Sequence, residues 1–371
     1  MTEWKLFHYI ENETRENCHL QQLRPDLDRI FWCRGSRARE LGVGGEDSSR
    51  HPGPSPVMDR LRCAIKGSTE GGFMQINLRL VVIALVLVSV GASAQLTPAE
   101  SNAATMSGDY TVRPNLVYLT ANNYQNKLDV YQAVGDNPHP TLIYIHGGGW
   151  VEGAKEGDVL EAIPFLEKGW SVVNVEYRLA GVSLAPAAVE DCRCALRWVI
   201  DHAKDYKFDT KRIVLMGHSA GGHLSLITGI LPLSAGLDRE CAGDKELKVA
   251  AIVDWFGITD VNDLFEGPNQ QDYAITWLGS LPDRDSIGKR VSPLTYVRSG
   301  LPPILMIHGD ADDTVPYSHS VRLHLALDKA GVPNELLTIP GGKHGDFNHA
   351  QLETCYTHIW AFLARSLPKT E

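Results

Sequence analysis

The chain has no surplus of positive charge: Asp and Glu number 45 against 35 Lys and Arg, a net charge of -10 over 371 residues. Neutralising nucleic-acid phosphates requires the opposite balance, so a nucleic-acid partner is excluded. Long apolar runs are scarce as well. The most conspicuous one, residues 80–90, is too short to cross a bilayer, which takes about 20 apolar residues, so no stable membrane anchor is expected. Cysteine is sparse, and no spacing among the seven resembles a zinc site. With 43% hydrophobic and only 22% charged residues, disorder is excluded as the dominant state and one substantial core can form.

The run at 80–90 belongs to a recognisable leader. Met74 opens it, Arg79 supplies the positive charge before the apolar stretch, and small residues at Ala92 and Ala94 suit cleavage ahead of Gln95. A signal peptide over 74–94 implies a secreted or periplasmic protein. A leader cannot act behind 73 residues of chain rich in Arg, Gly, Ser and Pro, so residues 1–73 read as a non-native extension from a start site placed too early, or as unpacked chain. The alternative is a cytosolic form with a buried apolar helix at 80–90. Cys18, Cys33 and Cys63 precede the cleavage point. Cys192 and Cys194 lie one residue apart on a predicted helix, whose 100° turn per residue sends them to opposite faces, so they should not bond to each other. A disulfide involving Cys241 or Cys355 is permitted in an oxidising compartment, and its pairing is left open.

From residue 110 onward, β-rich runs at 116–120, 128–132, 141–145, 171–177, 213–216, 249–255, 304–308 and 335–339 alternate with helical patterns. This predicts an α/β fold with a mostly parallel eight-stranded sheet covered by helices on both faces. In the helix starting near Pro186, Val189, Cys192, Leu196, Val199 and Ala203 form one apolar stripe, and the other side carries Glu190, Arg193, Arg197 and Asp201. Further helices are predicted over 219–230, 318–329 and 348–364. Residues 95–371 read as one catalytic domain. The stretch 258–300 is longer than an ordinary connection and reads as a cap or lid insert.

The apolar strand at 213–216 runs into Gly217-His218-Ser219-Ala220-Gly221, which opens a helix. A turn that sharp leaves no room for side chains at its two glycines and lifts the serine hydroxyl above the sheet, so Ser219 is the candidate nucleophile. A serine needs a base, and the base needs an acid to orient it, here in the order Ser, Asp, His. Asp310, Asp312 and Asp313 follow the strand at 304–308, with Asp254 in reserve. A calcium loop among the three lacks the required Gly and bidentate Glu. His344, in the glycine-rich stretch Pro340-Gly341-Gly342-Lys343-His344-Gly345, is the candidate base. His146, His218, His223 and His308 are the alternatives. His146 and His308 begin tight loops and suit holding backbone, and His218 sits inside the turn beside the serine. After the strand at 141–145, His146-Gly147-Gly148-Gly149-Trp150 offers unobstructed amides, so Gly148, Gly149 and Ala220 form the expected oxyanion hole. Trp150, Phe265 and Trp277 are candidate stacking surfaces for a sugar or an aromatic acid, with packing as the alternative.

These motifs, together with His308-Gly309 and the Asp312 to Val315-Pro316 stretch, resemble those of α/β-hydrolase carboxylesterases related to the hormone-sensitive-lipase group. They are still more similar to the BD-FAE-type bacterial esterases, described as feruloyl and acetylxylan esterases. The likeness spans about residues 116–362. It implies that Asp312, separated from Val-Pro by two residues, is the acid. It also implies a serine ester hydrolase that needs no metal or cofactor and takes a small-molecule or polysaccharide ester, such as an acetyl or feruloyl ester. The rival readings are a serine exopeptidase of the prolyl-oligopeptidase type, for which the mature chain lacks the extra domain, and a catalytically dead binding module on the same fold.

Overall fold

Eight strands make up a single sheet in the order β1-β2-β4-β3-β5-β6-β7-β8. They are β1 (Tyr110–Ala121), β2 (Tyr124–Ala133), β3 (His139–Ile145), β4 (Ser171–Val175), β5 (Phe208–His218), β6 (Ala251–Trp255), β7 (Ile304–Gly309) and β8 (Asn334–Ile339). The computed structural model describes residues 96–369 apart from 242, 244, 245 and 281. The expected leader at 74–94 and the stretch ahead of it lie outside the described residues. No helix among the described residues is long and apolar enough to cross a membrane.

β2 runs antiparallel to β1 and β4, and every pairing from β4 through β8 is parallel. The parallel strands read as continuous apolar runs because both of their faces are covered. Ile143, Leu215, Ile252 and Met306 face one buried cluster, while Leu142, Val214, Val253 and Leu305 face a second. On β1 only the last residues are buried, as befits an edge strand.

The helices are α1 (Pro98–Asp109), α2 (Ile163–Leu166), α3 (Ala187–Asp201), α4 (Ala203–Tyr206), α5 (Ala220–Ile230), α6 (Asp272–Leu278), α7 (Arg284–Arg290), α8 (Ser318–Lys329) and α9 (His349–Ser366). α3 and α5 pack on the first sheet face and α9 on the second. The charged side expected for α3 is largely buried rather than solvated. Arg193 has no exposed surface and reaches the Thr228 carbonyl at 3.0 Å, while Arg193 and Arg197 both approach Asp238. Glu190 accepts from Arg239. A disulfide joins Cys194 to Cys241 beside these contacts, so three ionic links and one covalent link tie the segment after α5 to α3. Cys192 and Cys355 are buried free thiols.

The segment 258–300 folds into α6 and α7 flanked by short 3-10 turns. Ile258, Val261, Leu264, Trp277, Leu278 and Val291 from it join the core. Packed in this way, it is a cap anchored to the body.

Candidate active site

The chain reverses direction at one residue between β5 and α5. Ser219 takes φ 56°, a strained value for a side chain-bearing residue, and its amide donates to the Trp255 carbonyl at 2.8 Å. The glycines on either side are required by space. A Cβ on Gly217 would lie 2.4 Å from the Ile145 carbonyl oxygen, and one on Gly221 would lie 2.0 Å from the same atom. Close approach of β3 to this turn is what brings the loop after β3 over the serine.

That loop is built around glycines in the left-handed region, with Gly148 at φ 103° and Gly149 at φ 57°. Side chains there would strike the Glu152 carbonyl and the Tyr273 ring, respectively. The amides of Gly148, Gly149 and Ala220 meet no acceptor among the described residues. Three unpaired donors around a buried serine are what a developing oxyanion requires.

His344 arrives on the loop after β8. Its Nε2 lies 2.8 Å from Ser219 Oγ, and its Nδ1 lies 2.8 Å from Asp312 Oδ2. The carboxylate can only accept, so Nδ1 carries the proton and Nε2 is free to accept the serine hydroxyl. The Asp312 side chain is fully buried, and its Oδ1 accepts from the amides of Thr314 and Val315 at 2.9 Å each. Burial alone would raise its carboxyl, but hydrogen bonds from His308, His344 and the Val315 amide outweigh this and hold it well below the usual carboxylate range. Ser219, Asp312 and His344 thus come together from the ends of β5, β7 and β8 of the parallel sheet, as ligand sites of open α/β sheets do.

Asp310, Asp254, His146, His218 and His223 have partners outside the triad. Asp310 accepts from the Gly341 amide at 2.6 Å, well apart from the His344 ring contact. Asp254 is buried beneath the turn and accepts from the Gly257 amide at 3.0 Å; burial raises its carboxyl to about 7. His146 bonds its own loop at the Gly147 carbonyl and stacks on Tyr177, and burial lowers its ring to about 4. His218 points away from Ser219 to the Tyr144 hydroxyl at 2.8 Å. His223 is buried between the Trp150 indole N–H, which donates to its Nδ1 at 3.1 Å, and the Val291 carbonyl.

The three aromatic candidates do not line the site. Trp150 and Trp277 have no exposed surface, because the loop carrying Trp150 folds inward and α6 packs Trp277 onto it. Phe265 is 6% exposed and lies under the Arg284 guanidinium. The open cleft over Ser219 and His344 is walled by Val151, Glu152, Phe256, Tyr273 and Thr314. None of these five is singled out by the sequence, although Tyr273 stands four residues before Trp277 on a helix of the cap. Its ring covers Gly149 and its hydroxyl donates to the Thr314 carbonyl at 3.2 Å, linking the glycine loop to the acid's loop.

Comparison with known proteins gives this geometry a family. The BD-FAE profile matches residues 128–327, which contain Ser219, Asp312 and the glycine loop. The chain belongs to the BD-FAE family. Its match ends before His344, which only the folded structure carries to the serine. Among relatives, this BD-FAE protein is 28% identical to Esterase LipQ of Mycobacterium tuberculosis over 217 residues, 56% of this chain and 51% of LipQ. It therefore spans about half the length of that relative. A carbohydrate esterase from gut microbiota, solved in truncated form, superposes with a TM-score of 0.58 at 28% identity, covering 69% of this chain and 98% of the other. Est2 of Thermogutta terrifontis, an esterase solved with propionate bound, gives a TM-score of 0.58 at 26% identity over 71% of this chain and 97% of Est2. These neighbours share the α/β-hydrolase fold seen here.

Proposed function

We propose that this protein hydrolyses carboxylic esters through an acyl-enzyme formed on Ser219. His344 takes the serine proton and returns it to the leaving alcohol, Asp312 orients the imidazole, and the amides of Gly148, Gly149 and Ala220 bind the oxyanion. Water then attacks the acyl-serine with His344 again as base. The observation that carries this reading is the unbroken chain Asp312–His344–Ser219, with both hydrogen bonds at 2.8 Å.

The substrate belongs to the small acyl esters, acetyl or feruloyl groups on plant polysaccharide, and the enzyme works outside the cytoplasm. Similarity to a carbohydrate esterase and to propionate-bound Est2 supports a short acyl group on a sugar. The Cys194–Cys241 bridge supports an oxidising compartment. Ser219→Ala should abolish turnover of p-nitrophenyl acetate while leaving the circular-dichroism spectrum unchanged; activity near the wild-type rate would refute the assignment. Acetylated xylan, methyl ferulate and p-nitrophenyl esters assayed side by side test the substrate class. N-terminal sequencing of secreted protein tests the compartment, with an end near Gln95 expected.

A further inference from the structure

His308 closes β7 four residues before Asp312, and the mechanism above gives it no part. We propose that His308 is a positioning residue for the triad, holding the second oxygen of Asp312 in place for His344; this rests on reading Ser219, His344 and Asp312 as nucleophile, base and acid.

The ring is fully buried, as is the carboxylate beside it. Its Nε2 lies 3.0 Å from the Val315 carbonyl oxygen and 3.2 Å from Asp312 Oδ2. Both of those atoms can only accept, so Nε2 carries the proton; its hydrogen bond runs to the Val315 carbonyl, with Asp312 Oδ2 at ion-pair distance beside it. Nδ1 is then the lone-pair nitrogen, and the hydroxyl of Ser320, buried on α8, donates to it at 2.7 Å. Ser320 thereby fixes the tautomer of His308, as Asp312 fixes that of His344.

The consequence lies in how the carboxylate is held. The amides of Thr314 and Val315 both bind Oδ1. Rotation about the soft terminal torsion of an aspartate moves both oxygens together, so the amides on Oδ1 and whatever lies against Oδ2 restrain it jointly. Oδ2 is the atom that orients His344. The Nε2–H of His308, 3.2 Å from that same oxygen, adds to the restraint, so the imidazole keeps the direction that Ser219 requires. Placement at this level counts, because small misalignments of a catalytic group cost large factors in rate. The donor also draws charge from Oδ2, which weakens the hold of Asp312 on an imidazolium at His344.

The other groups facing His308 are known. Asp254 on β6 interacts with it electrostatically, as does His319 on α8. The rings of Tyr317 and Phe256 lie 5.6 and 6.4 Å away.

The test compares wild type, His308→Leu and His308→Gln, each checked for fold by circular dichroism, with kcat and KM measured for p-nitrophenyl acetate across pH 5 to 9. The glutamine amide can restore a donor toward Asp312, whereas leucine cannot. For His308→Leu, kcat at the plateau should fall about tenfold or more with KM changed less than about twofold, as expected when an interaction serves the transition state alone. The acid-side midpoint of kcat should also move to higher pH, because Asp312 without its second donor stabilises the imidazolium better. His308→Gln should recover most of the plateau rate and bring the midpoint back. A folded His308→Leu with kcat within about twofold of wild type, a midpoint that does not rise, or a folded His308→Gln as impaired as His308→Leu would overturn the proposal. Should His308→Leu fail to fold, the Gln variant and Ser320→Ala decide alone: wild-type rates and midpoint in Ser320→Ala together with no recovery in Gln overturn it. Ser219→Ala run in parallel separates the two readings, since residual turnover there sinks the esterase assignment and leaves the His308 result a separate matter.

Discussion

Trp150 lies face to face with Trp277, their ring centroids 4.1 Å apart and their planes 16° from parallel. The pair joins the loop that carries the unpaired amides to the cap helix α6, and the indole N–H of Trp150 pins it further to His223 on the nucleophile's own helix. Three pieces of the site are thus keyed to one buried aromatic stack. Trp277→Ala should therefore act on stability, at a cost of roughly 3–5 kcal/mol for an emptied aromatic site. Urea unfolding measures this. A ring used for stacking on substrate would instead raise KM for aromatic esters with stability intact.

Tyr273 bridges the glycine loop and the acid's loop, and its two contacts can be tested apart. Tyr273→Phe loses only the hydrogen bond to Thr314, worth about 1 kcal/mol, and should turn over short esters almost normally. Tyr273→Ala removes the wall over Gly149. The ratio of kcat/KM for butyrate over acetate should then rise, and an unchanged ratio in a folded variant would show that the tyrosine does not limit acyl length.

Gly149→Ala tests the same wall from the other side. Its new methyl would meet the Tyr273 Cβ at 2.8 Å in a backbone conformation that disfavours any side chain. Displacement of one oxyanion donor costs about 100-fold in kcat. Steady-state kinetics on p-nitrophenyl acetate should show that loss with KM little altered.

Asp254 gives a pH dependence of stability whose sign follows from its environment. Burial raises its carboxyl to about 7, against smaller opposing effects of His308 and the Gly257 amide. Folding therefore favours the protonated acid. The stability this contributes is complete below the ordinary carboxylate range near pH ~4 and is lost as pH rises through about 7. Asp254→Asn carries no such loss. Its melting temperature relative to wild type should climb between those limits, and parallel curves across that window would count against a buried, titrating carboxyl.

The bridge joins Cys194 to Cys241 across a sequence separation of 47. Replacing both cysteines by serine should lower unfolding free energy by roughly 2–4 kcal/mol, with kcat on a small ester largely retained. Reductant should reproduce the effect in wild type and leave the double variant unmoved.

The eight strands and the helices at 219–230, 318–329 and 348–364 are legible because each is written in a local pattern, an apolar run or a helical period, that the fold does not override. The glycines at 217 and 221 were legible for a related reason: their contacts are with backbone, and backbone is the same in every chain. What escaped depends on partners distant in sequence. Arg193 and Glu190 look like a solvated helix face until the segment at 238–239 folds over them. Trp150 resembles a binding-site aromatic until its loop turns inward, and the pairing of Cys194 with Cys241 depends on where α5 ends. Tyr273 carried a faint signal in its helical spacing to Trp277, but nothing local says that its ring would rest on a glycine more than a hundred residues away.

Residues 195–240, Ser219 among them, lie inside a covalent ring closed by that same bridge. A protease that cuts once within this ring releases no fragment, since both new ends stay tethered through the sulfurs. Nicked and intact molecules will therefore migrate together on a gel run without reductant. A preparation that looks homogeneous there can still contain chains whose nucleophile turn has been severed, and reduction before electrophoresis is what separates them.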